Sequence, residues 1–168
     1  MPAAGQTAAY YRMTGPDGVI CLPLTARGDI VMVRQHRASL NTDTLEIPAG
    51  SIDGQEAPAL AAHREVLEET GYDCGEIHLL GTGRFYPNRL IQREYMYLGL
   101  DAHPRADAGV EQGLAPVLVP RSEFLGFCMD EAVDQTAIFF LIGLTTTRFG
   151  VDLLRAPIDE IRERFGAA

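Results

Sequence analysis

Cysteine is scarce: Cys21, Cys74 and Cys128 stand far apart in a chain of 168 residues. An odd count without paired spacing argues against a disulfide framework and gives no zinc-ligand pattern. All three read as ordinary buried or half-buried thiols in a reducing cytoplasm. No basic start runs into an apolar stretch, so no signal peptide is expected. The longest apolar run, Ala137–Leu144, falls well short of the roughly 20 residues that a bilayer span needs. Basic residues are outnumbered, 14 against 23 acidic ones, for a formal charge of −9. That balance argues against a nucleic-acid partner, because phosphate backbones are held by basic surfaces. A small anionic substrate stays open, since bound divalent ions invert the local field. No repeat or linker divides the chain, and its length suits one domain over residues 1–168 with a sizeable core.

What is present is a mixture of strands and helices. After an N-terminal arm (residues 1–18, with Ala8–Met13 as a short strand) come strand candidates at Val19–Leu24 and Ile30–Gln35. They are separated by the hairpin signal Ala26-Arg27-Gly28-Asp29. Gln35 and His36 run out into a polar loop, Ala38–Asp43. Further strands are expected at Thr44–Ile47, within Ile77–Phe85, at Arg93–Leu100 and at Ala115–Val119. Ala102–Gly113 reads as a polar loop and Ser122–Phe127 as a short helix. Two C-terminal helices follow, over 134–147 and 157–165. The order implies an α/β fold with a mixed sheet.

The stretch Gly50–Tyr72, GSIDGQEAPALAAHREVLEETGY, dominates the chain. A helix is expected from about Ala57 to Thr70, with Pro58 in its first turn and Gly71 as the left-handed residue that ends it. At about 100° per residue, Glu65, Glu68 and Glu69 share one arc with Ala61, opposite a core stripe of Ala59, Leu60, Val66 and Leu67. Like charges at these spacings cost a few tenths of a kcal/mol per pair. The acidic arc is either a solvated face or a place where Mg²⁺ takes carboxylate oxygens and leaves room for phosphates. Arg64 can reach Glu56 or Glu68.

These residues carry a resemblance. Gly50, Glu56, Arg64, Glu65, Glu68, Glu69 and Gly71 match every fixed position of the Nudix box, G-x5-E-x7-R-E-U-x-E-E-x-G-U, with Val66 and Tyr72 in the bulky apolar places. Tyr72 is aromatic where an aliphatic residue is commoner. The resemblance implies an α/β/α sandwich with the box helix on a mixed sheet. It also implies hydrolysis of a nucleoside diphosphate linked to another moiety, with Mg²⁺ or Mn²⁺ as cofactor. Glu65, Glu69 and Glu68 would be the metal ligands, joined by the carbonyl of Ala49. Gly50, Glu56, Arg64 and Gly71 would be structural. Asp53 reads more simply as a turn residue before Gly54.

Around the box, VRQHR (Val33–Arg37), LEIPAG (Leu45–Gly50), Ala61-Ala62, EETGY and Pro87 resemble the ADP-ribose pyrophosphatase group. That group implies substrate contacts at Arg37 and Glu46, a homodimer whose N-terminal strands cover the partner's site, and ADP-ribose cleaved to AMP and ribose 5-phosphate. Arg37 suits a phosphate or a base face; Glu46 suits an amino group, a hydroxyl, or an ion pair at its strand end. The turn Tyr86–Glu94 departs from the group, which has a proline–glycine–serine-like turn there. Arg84, Arg89 and Arg93 add charge at that turn, suited to phosphate or to plain solubility. The resemblance implies a general base outside the box, with Glu111 in the 102–113 loop as first candidate, and Glu68 or Glu69 acting on a metal-bound water as the alternative. His78 and His103 read as surface residues. GDP-mannose, NADH or another nucleotide sugar is the alternative substrate. A nucleotide-sensing module without turnover is the alternative class.

Overall fold

The computed structural model describes residues 11–129, 133 and 135–166. Along them run β1 (Gly18–Thr25), β2 (Ile30–Arg37), β3 (Thr42–Glu46), β4 (Ala49–Ser51), α1 (Pro58–Thr70), β5 (Tyr72–Asp73), β6 (Glu76–Gly83), β7 (Glu94–Pro104), β8 (Leu114–Val119), α2 (Phe124–Met129), α3 (Ala137–Phe149) and α4 (Ile158–Gly166). The sheet is mixed, in the order β3-β2-β1-β7-β5, with β8 beside β2, β6 beside β7 and β4 beside β1. Only β1 and β7 pair in parallel among the described strands.

Alternation along the strands builds two cores. Ile20, Leu22, Leu24, Met96, Leu98 and Leu100 face one side, against Phe124 of α2, Ile138 and Leu141 of α3, and Ile161 and Phe165 of α4. Val19, Cys21, Val31 and Tyr97 face the other, against Ala61, Ala62 and Val66 of α1. Helices therefore cover both faces, which is why β1 and the first half of β2 read as unbroken apolar runs. Each fully buried Leu, Ile or Phe contributes about 1.5–3 kcal/mol. The small Ala61 and Ala62 let the α1 backbone lie close to the sheet.

β1 shares one edge between two partners. It meets β2 at Leu24↔Ile30 and β4 at Gly18↔Ser51, Val19↔Gly50 and Ile20↔Ala49. Between them the Cys21 N–H reaches the Pro48 carbonyl at 3.0 Å. This branching brings the start of the box against the middle of the sheet.

The expected elements are found, with several corrections. The α1 face is turned: Leu60 is 61% exposed, while Glu69 lies buried with Ala61, Ala62, Val66 and Thr70. Gln35 and His36 belong to β2, not to a loop, because both pair with β3. Ala102 lies in β7, so the polar loop starts after Pro104. His78 is half-buried, its ring 5.5 Å from that of Phe165. The helix expected over 134–147 begins at Ala137, because Gln135 is engaged elsewhere; Asp134 lies outside the described residues. β4 and β5 are too short to leave a sequence pattern.

The expected strand Ala8–Met13 falls partly outside the described residues. Its end pairs within the chain: Met13 bridges Leu90, and the Met13 N–H donates to the Arg89 carbonyl at 2.8 Å. No described helix is long and apolar enough to cross a membrane.

Candidate active site

The site grows from the two ends of α1. Pro58 opens the helix, and Gly71 closes it at φ 71°, its N–H returning to the Leu67 carbonyl at 2.8 Å. Midway along it, Arg64 is a hub. Its guanidinium donates to Glu56 at 3.0 Å, Glu65 at 2.8 Å, Glu68 at 3.1 Å and the Ser51 carbonyl at 2.8 Å. One planar cation therefore ties the box loop to the helix and neutralises part of the acidic arc. The bond from Arg64 holds the Glu56 carboxyl below the usual carboxylate range. Asp53 is exposed, 3.9 Å from the same guanidinium.

Two carboxylates turn toward the sheet. Glu65 lies over Gly50, and a Cβ on Gly50 would occupy the space of the Glu65 carboxylate. Burial pushes the Glu65 carboxyl up, against the opposing pull of Arg64. Glu69 is 8% exposed and accepts the Ala49 N–H at 3.1 Å. Burial pushes its carboxyl up to about 7, with the charges of Glu65 and Glu111 adding and the Ala49 bond and Arg37 opposing. Glu68 is exposed beside them.

Glu111 is brought to this group. The loop after β7 folds back on the end of α1: the Arg105 N–H donates to the Gly71 carbonyl at 2.9 Å and the Glu111 N–H to the Glu68 carbonyl at 2.8 Å. Glu68, Gly109, Val110 and Glu111 line an open pocket of about 390 Å³.

Arg37 and Glu46 bind each other. The guanidinium meets the carboxylate through two parallel bonds of 2.8 and 2.7 Å, and the Thr44 hydroxyl donates to Glu46 at 2.6 Å. Burial alone would raise the Glu46 carboxyl, but the bonds from Arg37 and Thr44 leave it below its ordinary value. The strand-end ion pair is thus what the chain forms, and it sits close enough to Glu69 to act on its charge. Breaking a fully buried pair costs about 3–5 kcal/mol. The Arg37 side chain is 43% exposed, so Arg37→Ala is expected to cost about 1–2 kcal/mol. A depressed carboxyl stabilises the fold only while ionised. The difference between wild type and Arg37→Ala in chemical denaturation should be full at pH 7 and shrink as pH falls below about 4.

Arg84 stands apart from these residues. Its Nε donates to the Ile91 carbonyl at 3.1 Å, and it lines a cavity of about 200 Å³ with Phe85, Thr136 and Phe140. Phe85 and Thr136 also border a second cavity of about 340 Å³, which Ala49, Glu94 and Gln135 complete. A cleft therefore leads from the box to Arg84. Glu94 enters it from the start of β7, its carboxyl raised by burial and then by the charge of Asp17. Gln135 brackets Ile47, accepting its N–H at 3.0 Å and donating to its carbonyl at 3.4 Å. Sequence spacing gives no sign of Gln135, which is 88 positions from its partner. Glu94 is visible only as an acidic residue ending the Tyr86–Glu94 turn.

The donor set suits a hard divalent cation: carboxylates and carbonyls, with Glu69 buried against a single N–H. No three Asp, Glu, His or Cys side chains among the described residues converge on one point as they stand. Arg64 draws Glu65 and Glu68, and Ala49 draws Glu69.

A family model for the NUDIX domain matches residues 15–132. Over 76 residues the chain is 40% identical to a methanol dehydrogenase activator of Bacillus methanolicus, covering 45% of this chain and 41% of that one. Over 62 residues it is 46% identical to an ADP-ribose pyrophosphatase of Bacillus subtilis (strain 168), covering 37% and 34%. The chain thus aligns with less than half the length of these relatives. A solved structure described as an ADP compounds hydrolase superposes with a TM-score of 0.69 at 18% identity, over 80% of this chain and 72% of that one. That likeness is one of fold.

Proposed function

Because the chain belongs to the NUDIX family, whose members generally use divalent metal ions, we propose that it hydrolyses the pyrophosphate bond of a nucleoside diphosphate linked to another moiety. ADP-ribose, giving AMP and ribose 5-phosphate, is the preferred substrate. The observation that carries this reading is the pair of inward carboxylates: Glu65 seated over a glycine, and buried Glu69 against Ala49. Such placement sacrifices solvation for geometry.

Glu65, Glu68, Glu69 and the Ala49 carbonyl would hold Mg²⁺ or Mn²⁺. A bound cation there offsets the charge that builds on phosphate oxygens and makes water a better nucleophile. The chain's own residues do the rest. Glu111, on the loop pinned to Glu68, takes the proton as the water oxygen bonds to phosphorus and the bridging P–O bond breaks. Arg64 and Glu56 keep the box loop against α1. The Arg37–Glu46 pair flanks the site, and the cleft of Phe85, Glu94, Gln135 and Thr136 takes an organic moiety, with Arg84 available to phosphate at its far end. A homodimer is proposed with it.

A substrate panel with Mg²⁺ and Mn²⁺, products identified by mass, tests the reading. The expected result is AMP and ribose 5-phosphate from ADP-ribose. Faster turnover of GDP-mannose, NADH or another nucleotide sugar would move the assignment within the family. Tight ADP-ribose binding with no product after prolonged incubation would replace hydrolysis with sensing.

A further inference from the structure

Three segments distant in sequence meet where β1 begins. The Asp17 carbonyl accepts the N–H of Ile52, in the box loop, at 2.9 Å. The Asp17 carboxylate accepts the N–H of Arg93, at the end of the Tyr86–Glu94 turn, at 2.8 Å. One residue on, the Gly18 N–H donates to the Arg93 carbonyl at 2.8 Å. The Glu94 carboxylate lies over Gly18, in the space a Cβ would fill.

The side chain is needed here because the ladder fails. Gly18 pairs with Glu94 in parallel, and regular pairing would offer the Pro16 carbonyl to the Arg93 N–H. Pro16 has no N–H to continue the pairing, and its carbonyl accepts the Gln92 side-chain amide at 3.0 Å. The Asp17 carboxylate stands in for the missing acceptor. Glu94 thereby starts its strand at a fixed place, with its side chain in the cleft beside Ala49 and Phe85.

We propose that Asp17 is a positioning residue for substrate recognition, holding the Tyr86–Glu94 turn to the box loop so that Glu94 faces the bound moiety. The inference rests on reading the cleft as the substrate site. Asp17 touches no substrate and acts through Glu94.

The test measures kcat and KM for ADP-ribose in wild type, D17A, D17N, E94Q and D17A/E94Q. D17A should raise KM about tenfold with kcat within twofold. D17N keeps an oxygen acceptor and should recover most of the wild-type KM. D17A should add little to E94Q, since both act on one contact. A wild-type KM in D17A, a D17N as impaired as D17A, or losses that multiply in the double variant would overturn the proposal. If D17A does not fold, D17S replaces it: its shorter side chain withdraws the acceptor from the Arg93 N–H, and it should raise KM alone but not on top of E94Q, a wild-type KM overturning the proposal. A wild-type chain that turns over nothing in the panel defeats the parent reading instead. The same variants are then compared by calorimetric binding of ADP-ribose, where a tenfold weaker D17A supports the inference, and equal or absent binding overturns it.

Discussion

Glu69→Gln is expected to lower kcat about 10³-fold or more while the fold survives unchanged. Glutamine is nearly the same size and keeps an oxygen for the Ala49 N–H, now 3.1 Å from Glu69. What it removes is the charge. Stabilising charge on a transferring phosphoryl group is a matter of several kcal/mol, and each 1.36 kcal/mol is tenfold in rate. Stability should not fall, because burying a carboxylate is unfavourable and burial already pushes this one up to about 7. Turnover assays beside thermal melting separate the two effects. A near-wild-type kcat would remove Glu69 from the residues that hold metal.

Gly50→Ala is the second large effect, and it comes from one methyl group. The new Cβ would fall on the Glu65 carboxylate. That carboxylate is the far end of a flexible side chain, so it can swing aside at little energetic cost, within about 1 kcal/mol. Catalysis is less forgiving, since misplacing a site group by about 1 Å can cost 10²-fold. A drop of about 10² in kcat with a melting temperature within a few degrees of wild type is expected. An active Gly50→Ala would mean that Glu65 is not held by the close approach of β4.

The box was legible because its constraints are local. Pro58, Gly71 and the spacing of Arg64 and the glutamates fix a helix with defined ends, whatever lies around it. The face of that helix was legible only in part: Val66, expected in the core, is buried. Apolar character points to Leu60 and Leu67 as core, yet the buried arc runs through Ala61, Val66 and Glu69, because a carboxylate needed near the sheet displaces a hydrophobe that would otherwise fill the place. The strands were found from their apolar runs, except β4 and β5, which are too short to show a period. The Arg37–Glu46 pair depends on β2–β3 register, and Glu94, Gln135 and Asp17 meet partners 76 to 88 positions away. No local pattern encodes such meetings. The end of the arm shows the same limit: Met13 bridges Leu90 in its own chain, a pairing that no local pattern announces.

The parallel pairing of β1 with β7 has a consequence for the history of the molecule. Every residue of the box lies in sequence between those two strands, inside a loop that their pairing must close. Loop closure of that length opposes folding before any long-range contact rewards it, and parallel pairing forms slowly. A chain emerging from the ribosome presents the whole signature once Tyr72 is out. Gly18 has only Ser51 of β4 to pair with until Glu94–Pro104 follows. Glu111 comes later still, on the loop after β7, so the groups assigned to the chemistry are complete only late in synthesis.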